Sequence, residues 1–243
     1  MVAERGVKMR GLILALQFLT RLPTPALADF RPEELARAAI WFPLVGLLLG
    51  LLIATATALG ARLDPWLGAL LGLLAWIGLT GALHLDGLAD LADALGAAHA
   101  DRERLLAVLS DPHVGVFGVT ALVAQLLGKL VLLMLLAQAG TFWPILLIPA
   151  WARLGPLLWA RLPSIKPGLG ERFAWRVGNP GIGLWALALA AASLLAPALL
   201  AAPLLLLGWR AYLRARLGGM TGDALSAGME WMESSLLLMR SEE

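Results

Sequence analysis

The sequence predicts an all-α, polytopic integral membrane protein, a single domain over residues 1–243 built as a bundle of about six to seven transmembrane helices. Three observations carry that expectation. Hydrophobic residues make up 60% of the chain and the mean hydropathy is +0.80, well above the ~45–50% apolar content of soluble domains. Charged residues are only 15%, against an ordinary ~25%, and they gather in a few intervals. Between those intervals lie apolar runs long enough to cross a ~30 Å hydrocarbon core. The formal net charge of +2 is too small to point to nucleic acid as a partner; the bilayer is the partner that composition implies. The absence of cysteine excludes disulfides, thiolate metal sites and a cysteine nucleophile. Ten tryptophans scattered along the runs and their edges read as interfacial anchors.

Lys8-Met9-Arg10 before an apolar stretch, with Ala26-Leu27-Ala28 beyond, has the pattern of a signal peptide. Its apolar core is short and Arg21, Pro23 and Pro25 interrupt it, which favours a retained membrane-surface helix that turns at the prolines. Acids directly after Pro32 mark the start of the next helix. The first span is expected from Ala38 to Gly60, with Gly46 and Gly50 giving a small face for close helix packing. After a polar break at Arg62-Leu63-Asp64-Pro65 comes a second span, Trp66 to Leu83, and then a polar interval from His84 to His113 with a helix of its own.

A third span, following the 111–118 segment and ending near Ala139, carries Lys129 near its middle; a fourth, Phe142 to Trp159, carries Arg153. Cations at such depth cost at least ~2.5 kcal/mol, so each should face a partner, a cavity or a substrate. The loop from Arg161 to Arg176, with Lys166 and Arg172, is basic and punctuated by glycine and proline, suited to phosphate contact. The run from Gly181 to Gly208 would be ~42 Å as one helix, and reads as two passes bending near Pro197 or Pro203. That choice puts Arg210, Arg214 and Arg216 on the same side as the basic loops at 1–37, 84–113 and 161–176, the cytoplasmic side by the positive-inside rule. A glycine-rich turn, Gly218 to Asp223, then leads into a last amphipathic helix ending near Leu238.

The chemistry is expected at His84-Leu85-Asp86-Gly87-Leu88-Ala89-Asp90-Leu91-Ala92-Asp93. Asp86, Asp90 and Asp93 stand at i, i+4 and i+7, within roughly 60° of one another on a helix. Stacked like charges repel, and a divalent cation relieves that repulsion; an all-carboxylate set suits Mg²⁺ or Mn²⁺ better than zinc. Asp223, flanked by glycines that let the backbone approach a ligand, is expected to join as a further metal ligand or an acceptor for an incoming hydroxyl, the alternative being an N-cap. His84 is expected to orient or carry protons near the metals, provided that the helix begins after it, the alternative being a core histidine.

Phe18-Leu19-Thr20-Arg21-Leu22-Pro23-Thr24-Pro25, Phe42-Pro43-Leu44-Val45-Gly46, the acidic motif, Ser110-Asp111-Pro112-His113-Val114-Gly115-Val116-Phe117-Gly118 and Thr221-Gly222-Asp223-Ala224-Leu225 together resemble the cobalamin synthase family. Those are adenosylcobinamide-GDP ribazoletransferases of the cell inner membrane. The likeness runs in order over nearly the whole chain. It implies a Mg²⁺-dependent transfer: α-ribazole or its 5'-phosphate attacks the cobinamide-side phosphorus of adenosylcobinamide-GDP and GMP leaves. It also implies catalytic roles for Asp111 beside the acidic set, and substrate contacts from Arg21 and His113. The family usually has basic residues where this chain has Ser110 and His113. Phosphate contact is therefore expected partly from Arg102, Arg104, Lys166 and Arg172, with Lys129 and Arg153 as further candidates. The rival reading is a cation-coupled transporter using the aspartates as an ion site; the long polar loop and the lack of internal repeats speak against it. Glycine-faced spans also allow a homo-oligomer.

Overall fold

A computed structural model describes residues 2–27, 32–98, 101–166 and 178–241. It is all-helical: α1 (Val2–Leu19), α2 (Pro32–Ala38), a 3₁₀ turn (Ala39–Trp41), α3 (Phe42–Ala61), α4 (Pro65–Thr80), α5 (Leu83–Ala98), α6 (Arg102–Val108), α7 (Val116–Gln138), α8 (Trp143–Trp159), α9 (Asn179–Ser193), a second 3₁₀ turn (Pro197–Ala201), α10 (Ala202–Arg216) and α11 (Gly222–Ser241). Extended pairing among the described residues is a single parallel bridge between Ser164 and Met220.

Three helical stretches are long and apolar enough to cross a membrane: Glu34–Ala61, Val116–Gln138 and Pro197–Arg216. The pair α4 and α5 passes the same test together but is bent by 86°, so the described residues supply three spans, or four. The sequence led to six or seven. The difference is one of length: α8 has 17 residues and α9 has 15, rising only ~25 and ~22 Å against a ~30 Å core. Leu51, Leu74, Val123, Leu127, Leu187 and Leu204 are exposed on the outside of the bundle, where lipid tails solvate them at no hydrophobic cost. The chain is associated with the membrane through these apolar helices.

The run from Gly181 to Gly208 breaks into two helices ahead of Pro197, whose ring cannot supply an N–H to continue the ladder. Inside the bundle α8 is the central element, buried along almost its whole length and packed by α3 and α11. Gly46 and Gly50 make the α3 contact: a Cβ at Gly46 would lie 2.5 Å from Ala150 Cα, and one at Gly50 2.7 Å from the Ile145 carbonyl oxygen. The small face read from the sequence is thus where two backbones touch.

Four tryptophans depart from expectation, whereas Trp66 at the start of α4 is exposed as an anchor would be. Trp151 and Trp159 are fully buried, and their indole N–H groups donate to Ser193 Oγ and the Leu206 carbonyl at 3.0 and 2.9 Å. Trp209 and Trp185 likewise donate to the carbonyls of Ala224 and Ile40. An indole satisfies its polar edge and fills a large volume at once, so these rings serve as internal struts.

At the front, α1 stops at Leu19 before the prolines, and Phe18 stacks on Phe42 with centroids 5.9 Å apart. Asp64 caps α4, accepting from Trp66 and Leu67 N–H, and Gly81 closes it at φ +61° with Ala82 following at +59°. Those two left-handed residues make the corner that turns the chain into α5. The Arg21 N–H donates to the Leu79 carbonyl at 2.7 Å and its side chain lies against Gly81.

Candidate active site

The acidic motif folds as expected into one helix, α5, but its residues divide between two tasks. Asp86 is exposed, Asp90 half-buried and Asp93 buried. The Asp93 carboxylate accepts from Gly115 N–H at 2.7 Å and Gly118 N–H at 2.8 Å, satisfying donors that the first turn of α7 leaves unpaired. Both glycines abut it; a Cβ at Gly115 would lie 2.5 Å from Asp93 Oδ1. Asp93, expected as a metal ligand, therefore holds α5 to the start of α7.

Asp86 and Asp90 face a residue from the other end of the chain. Helix α11 crosses α5 at Gly87, where a Cβ would meet Ser226 Cβ at 2.5 Å and Asp223 Cα at 3.0 Å. This backbone-to-backbone approach brings Asp223 among the charges acting on Asp90, together with Asp86 and Lys166. Asp223 is not the cap of its helix: Thr221 is, its hydroxyl accepting from Ala224 N–H at 3.1 Å. The Asp223 carboxyl is thus left toward α5. Burial holds it above the ordinary carboxylate range, with Lys166 pulling down and Asp86 pushing further up.

Lys166 is delivered by the bridge between Ser164 and Met220. Ile165 N–H donates to the Met220 carbonyl at 3.0 Å, Met220 N–H to the Pro163 carbonyl at 2.9 Å, and Gly219 leaves room for that approach. The Lys166 ammonium then donates to the Leu109 carbonyl and stands 3.9 Å from Asp223 Oδ2. The structure accordingly gathers Asp86, Asp90, Asp223 and Lys166 at one place.

Other expected site residues lie elsewhere. Asp111 and His113 pair with each other in an exposed turn, Asp111 Oδ1 accepting from His113 N–H at 3.0 Å and contacting its Nδ1 at 2.6 Å. Those hydrogen bonds hold the Asp111 carboxyl below its usual range. Arg102 and Arg104 are exposed on α6, Arg102 facing a cleft shared with Arg214 and Arg216. Arg21 belongs to the corner between α4 and α5. Arg172 lies outside the described residues.

Lys129 and Arg153, expected to contact substrate, are committed inside the bundle. Lys129 Nζ is 2.7 Å from Glu230 Oε2 and 2.5 Å from Glu233 Oε2, and sits 4.3 Å from the centre of the Trp76 ring. Arg153 pairs with Glu233, and Gln125 donates to Glu230 at 2.7 Å. All four ionised residues are buried, two cations matched by two carboxylates as a low-dielectric interior demands. Reading the sequence missed Glu230 and Glu233. The signal was available: two acids at i and i+3 in an apolar helix need cations, and Lys129 and Arg153 needed anions. His84 turns to this same interior. Helix α5 begins at Leu83, so His84 is helical and points away from Asp86; it is 1% exposed, and the charges acting on it are those of Arg153, Glu233 and Lys129. The condition for its expected role, a helix starting after it, is not met.

As arranged, no three His, Asp or Glu side chains among the described residues stand close enough to enclose a metal ion. The donor set still fits Mg²⁺: it is all oxygen, open on one side, and Mg²⁺ usually takes only one or two carboxylates, with water and substrate phosphates completing its shell.

Comparison with known proteins bears on the whole chain. Residues 11–241 match the family model described as cobalamin-5-phosphate synthase. A protein of Thiobacillus denitrificans named adenosylcobinamide-GDP ribazoletransferase is 57% identical over 95% of this chain and 94% of its own length. Proteins of the same name from Novosphingobium aromaticivorans and Laribacter hongkongensis are 55% and 58% identical, each over 95% of this chain and 95% and 96% of their own. No solved structure matches. With a family model matched from one end to the other and relatives above half identity at full length, this chain belongs to the cobalamin-5-phosphate synthase family.

Proposed function

We propose that this protein is an adenosylcobinamide-GDP ribazoletransferase of cobalamin biosynthesis, the activity its relatives are named for. It transfers the adenosylcobinamide phosphate of adenosylcobinamide-GDP to α-ribazole or its 5'-phosphate. A ribose hydroxyl oxygen bonds to the cobinamide-side phosphorus, the phosphoanhydride bond breaks, GMP leaves with the bridging oxygen, and the hydroxyl proton is released. The observation that carries the reading is the contact at Gly87, which sets Asp223 against the face bearing Asp86 and Asp90.

In this reading Asp86, Asp90 and Asp223 are the ligands available to Mg²⁺ or Mn²⁺. When bound, such an ion supplies charge neutralisation to the diphosphate and the departing phosphate. Lys166 offers a cation to a phosphate oxygen at the same place. Asp223, relieved of capping by Thr221, is free to accept a hydrogen bond from the incoming hydroxyl and orient it. Corner residues Gly81 and Ala82 aim α5, and Asp93 fixes it to α7; they position the site without touching substrate. We infer that the site faces the cytoplasm at the cell inner membrane; Lys166 at the site and Arg102, Arg214 and Arg216 in the neighbouring cleft support that reading through the positive-inside rule.

The test is a nanodisc assay of the purified protein with adenosylcobinamide-GDP and α-ribazole 5'-phosphate, following GMP and the corrinoid product with and without Mg²⁺. Metal-dependent, stoichiometric formation of both is expected; release of GMP with no corrinoid product joined to ribazole would refute the transfer.

A further inference from the structure

Next to the carboxylates lies a cleft that neither the family match nor the acidic motif accounts for. Its volume is about 590 Å³, and it opens between the end of α5, the start of α6, Ile165 and the last turn of α10. That size is ordinary for a small-molecule site, roughly 300–1,000 Å³. Buried Leu105 and Leu217 give it an apolar floor, and exposed Arg102, Arg214 and Arg216 line its rim. Among the described residues none of these three arginines is ion-paired. The lone carboxylate on the rim, Asp101, is committed as the cap of α6, accepting from Glu103 and Arg104 N–H at 2.9 and 3.3 Å. Gly218, at φ +70°, closes α10 with its Cα directed toward Arg102, where an added Cβ would lie 3.4 Å from Nη1. An apolar floor beneath three exposed guanidinium forks is complementary to a flat base carrying a phosphate: guanidinium binds phosphate through paired, charge-assisted hydrogen bonds, and the leucines cover an aromatic face.

The cleft adjoins the carboxylate site through the 163–166 loop and the turn before α11 and not along one face of α5. Ile165 in its wall immediately precedes Lys166, which reaches Asp223, and Gly218 lies five residues before Asp223, whereas Leu95, five residues past Asp90, is turned ~140° from it on the helix. We infer that this cleft is a nucleoside-phosphate subsite, holding the base and phosphate of a nucleotide whose reacting end extends to Asp86, Asp90 and Asp223. The inference rests on the proposed transfer, in which two such molecules take part: the guanosine phosphate that leaves and the α-ribazole 5'-phosphate that enters.

The test is equilibrium binding of GMP, α-ribazole 5'-phosphate and unphosphorylated α-ribazole to the full-length protein in nanodiscs, separate from any turnover. The variants are Arg102→Gln, Arg214→Gln and Arg216→Gln, with Arg214→Lys keeping the charge and Arg210→Gln, one turn away on α10 and outside the cleft, as control. Because the substituted side chains are exposed, packing is untouched. A tenfold or greater loss of affinity for GMP alone assigns the cleft to the leaving nucleotide. The same loss for α-ribazole 5'-phosphate, with α-ribazole unaffected, assigns it to the incoming one. In both cases Arg210→Gln binds as wild type and Arg214→Lys recovers part of the loss. Unchanged affinities in all three cleft variants, or an equal loss in Arg210→Gln, overturn the inference. Nucleotide binding that depends on the three arginines in a protein that forms no corrinoid product would refute the transfer and leave the subsite standing.

Discussion

At the residue scale the proposed site divides the acidic motif into candidate ligands, Asp86 and Asp90, and a strut, Asp93, and the two are expected to behave oppositely on substitution. Asp86→Asn, Asp90→Asn and Asp223→Asn are expected to lower GMP release at least 100-fold with melting temperature unchanged or raised, because each removes a crowded charge. Asp93→Ala is expected to lose about 2 kcal/mol of stability, since it strips two backbone N–H groups at the start of α7 of their acceptor; thermal melting in detergent reads it. The raised Asp223 carboxyl gives a pH signature. Its protonated form favours the fold, a stabilisation complete below the ordinary carboxylate range and lost as pH rises through the raised value. The charged form, which a metal requires, exists only above that value. Activity should therefore fall on acidification at a pH above the ordinary carboxylate range, while the metal-free protein grows more stable; Asp90, pushed up to about 6 by burial and then by Asp86 and Asp223, acts in the same sense, so Asp223→Asn should lessen both slopes and the double variant with Asp90→Asn should remove them. The spacing of Asp86, Asp90 and Asp93 made their shared helix legible in the sequence. It could not say which of the three turns to α7, because that depends on Gly115 and Gly118, more than twenty residues on.

At the element scale the crossing of α5 and α11 sets the geometry of the site. Gly87→Ala puts a methyl 2.5 Å from Ser226 Cβ, and a packed contact of this kind yields only by moving a helix, at about 1–3 kcal/mol. Activity is expected to drop at least tenfold as Asp223 is pushed from Asp86 and Asp90. Adding Ser226→Gly, which removes the opposing atom, should restore part of it; an unaltered rate in Gly87→Ala would show that the spacing is not critical. The buried network between α7, α8 and α11 is a second element-level device. Glu233→Gln leaves Arg153 without its carboxylate and Lys129 with only one, so a loss of about 3–5 kcal/mol is expected, measured as the denaturation midpoint in detergent. Lys129 and Arg153 declared from sequence that they needed partners. Their partners lie 80 to 104 residues away, and local periodicity carries no information over that distance. The same limit explains His84: its helix start at Leu83 is set by the left-handed corner at Gly81 and Ala82, a tertiary choice that turned the ring inward.

At the scale of the whole molecule, the all-helical membrane architecture followed from composition alone, because apolar runs separated by polar intervals have no other stable arrangement in lipid. The number of crossings did not follow, since hydropathy marks an apolar run and not where its folded helix ends: α8 and α9, with 17 and 15 residues, fall short of the thickness of the hydrocarbon core. Orientation remains open to direct measurement. The chain has no cysteine, so Ser164→Cys beside Lys166 is expected to react with membrane-impermeant maleimide only after the cytoplasmic face is opened; labelling from the periplasm would invert the topology.

The central claim is that carboxylates from residues 86–90 and from residue 223, far apart in the chain, form one divalent-metal site. Mn²⁺ binding followed by electron paramagnetic resonance in nanodiscs tests it without requiring turnover. Wild-type protein is expected to bind Mn²⁺ in competition with Mg²⁺, and Asp86→Asn and Asp223→Asn each to weaken it at least tenfold, whereas Asp223→Asn binding Mn²⁺ as tightly as wild type would contradict the claim.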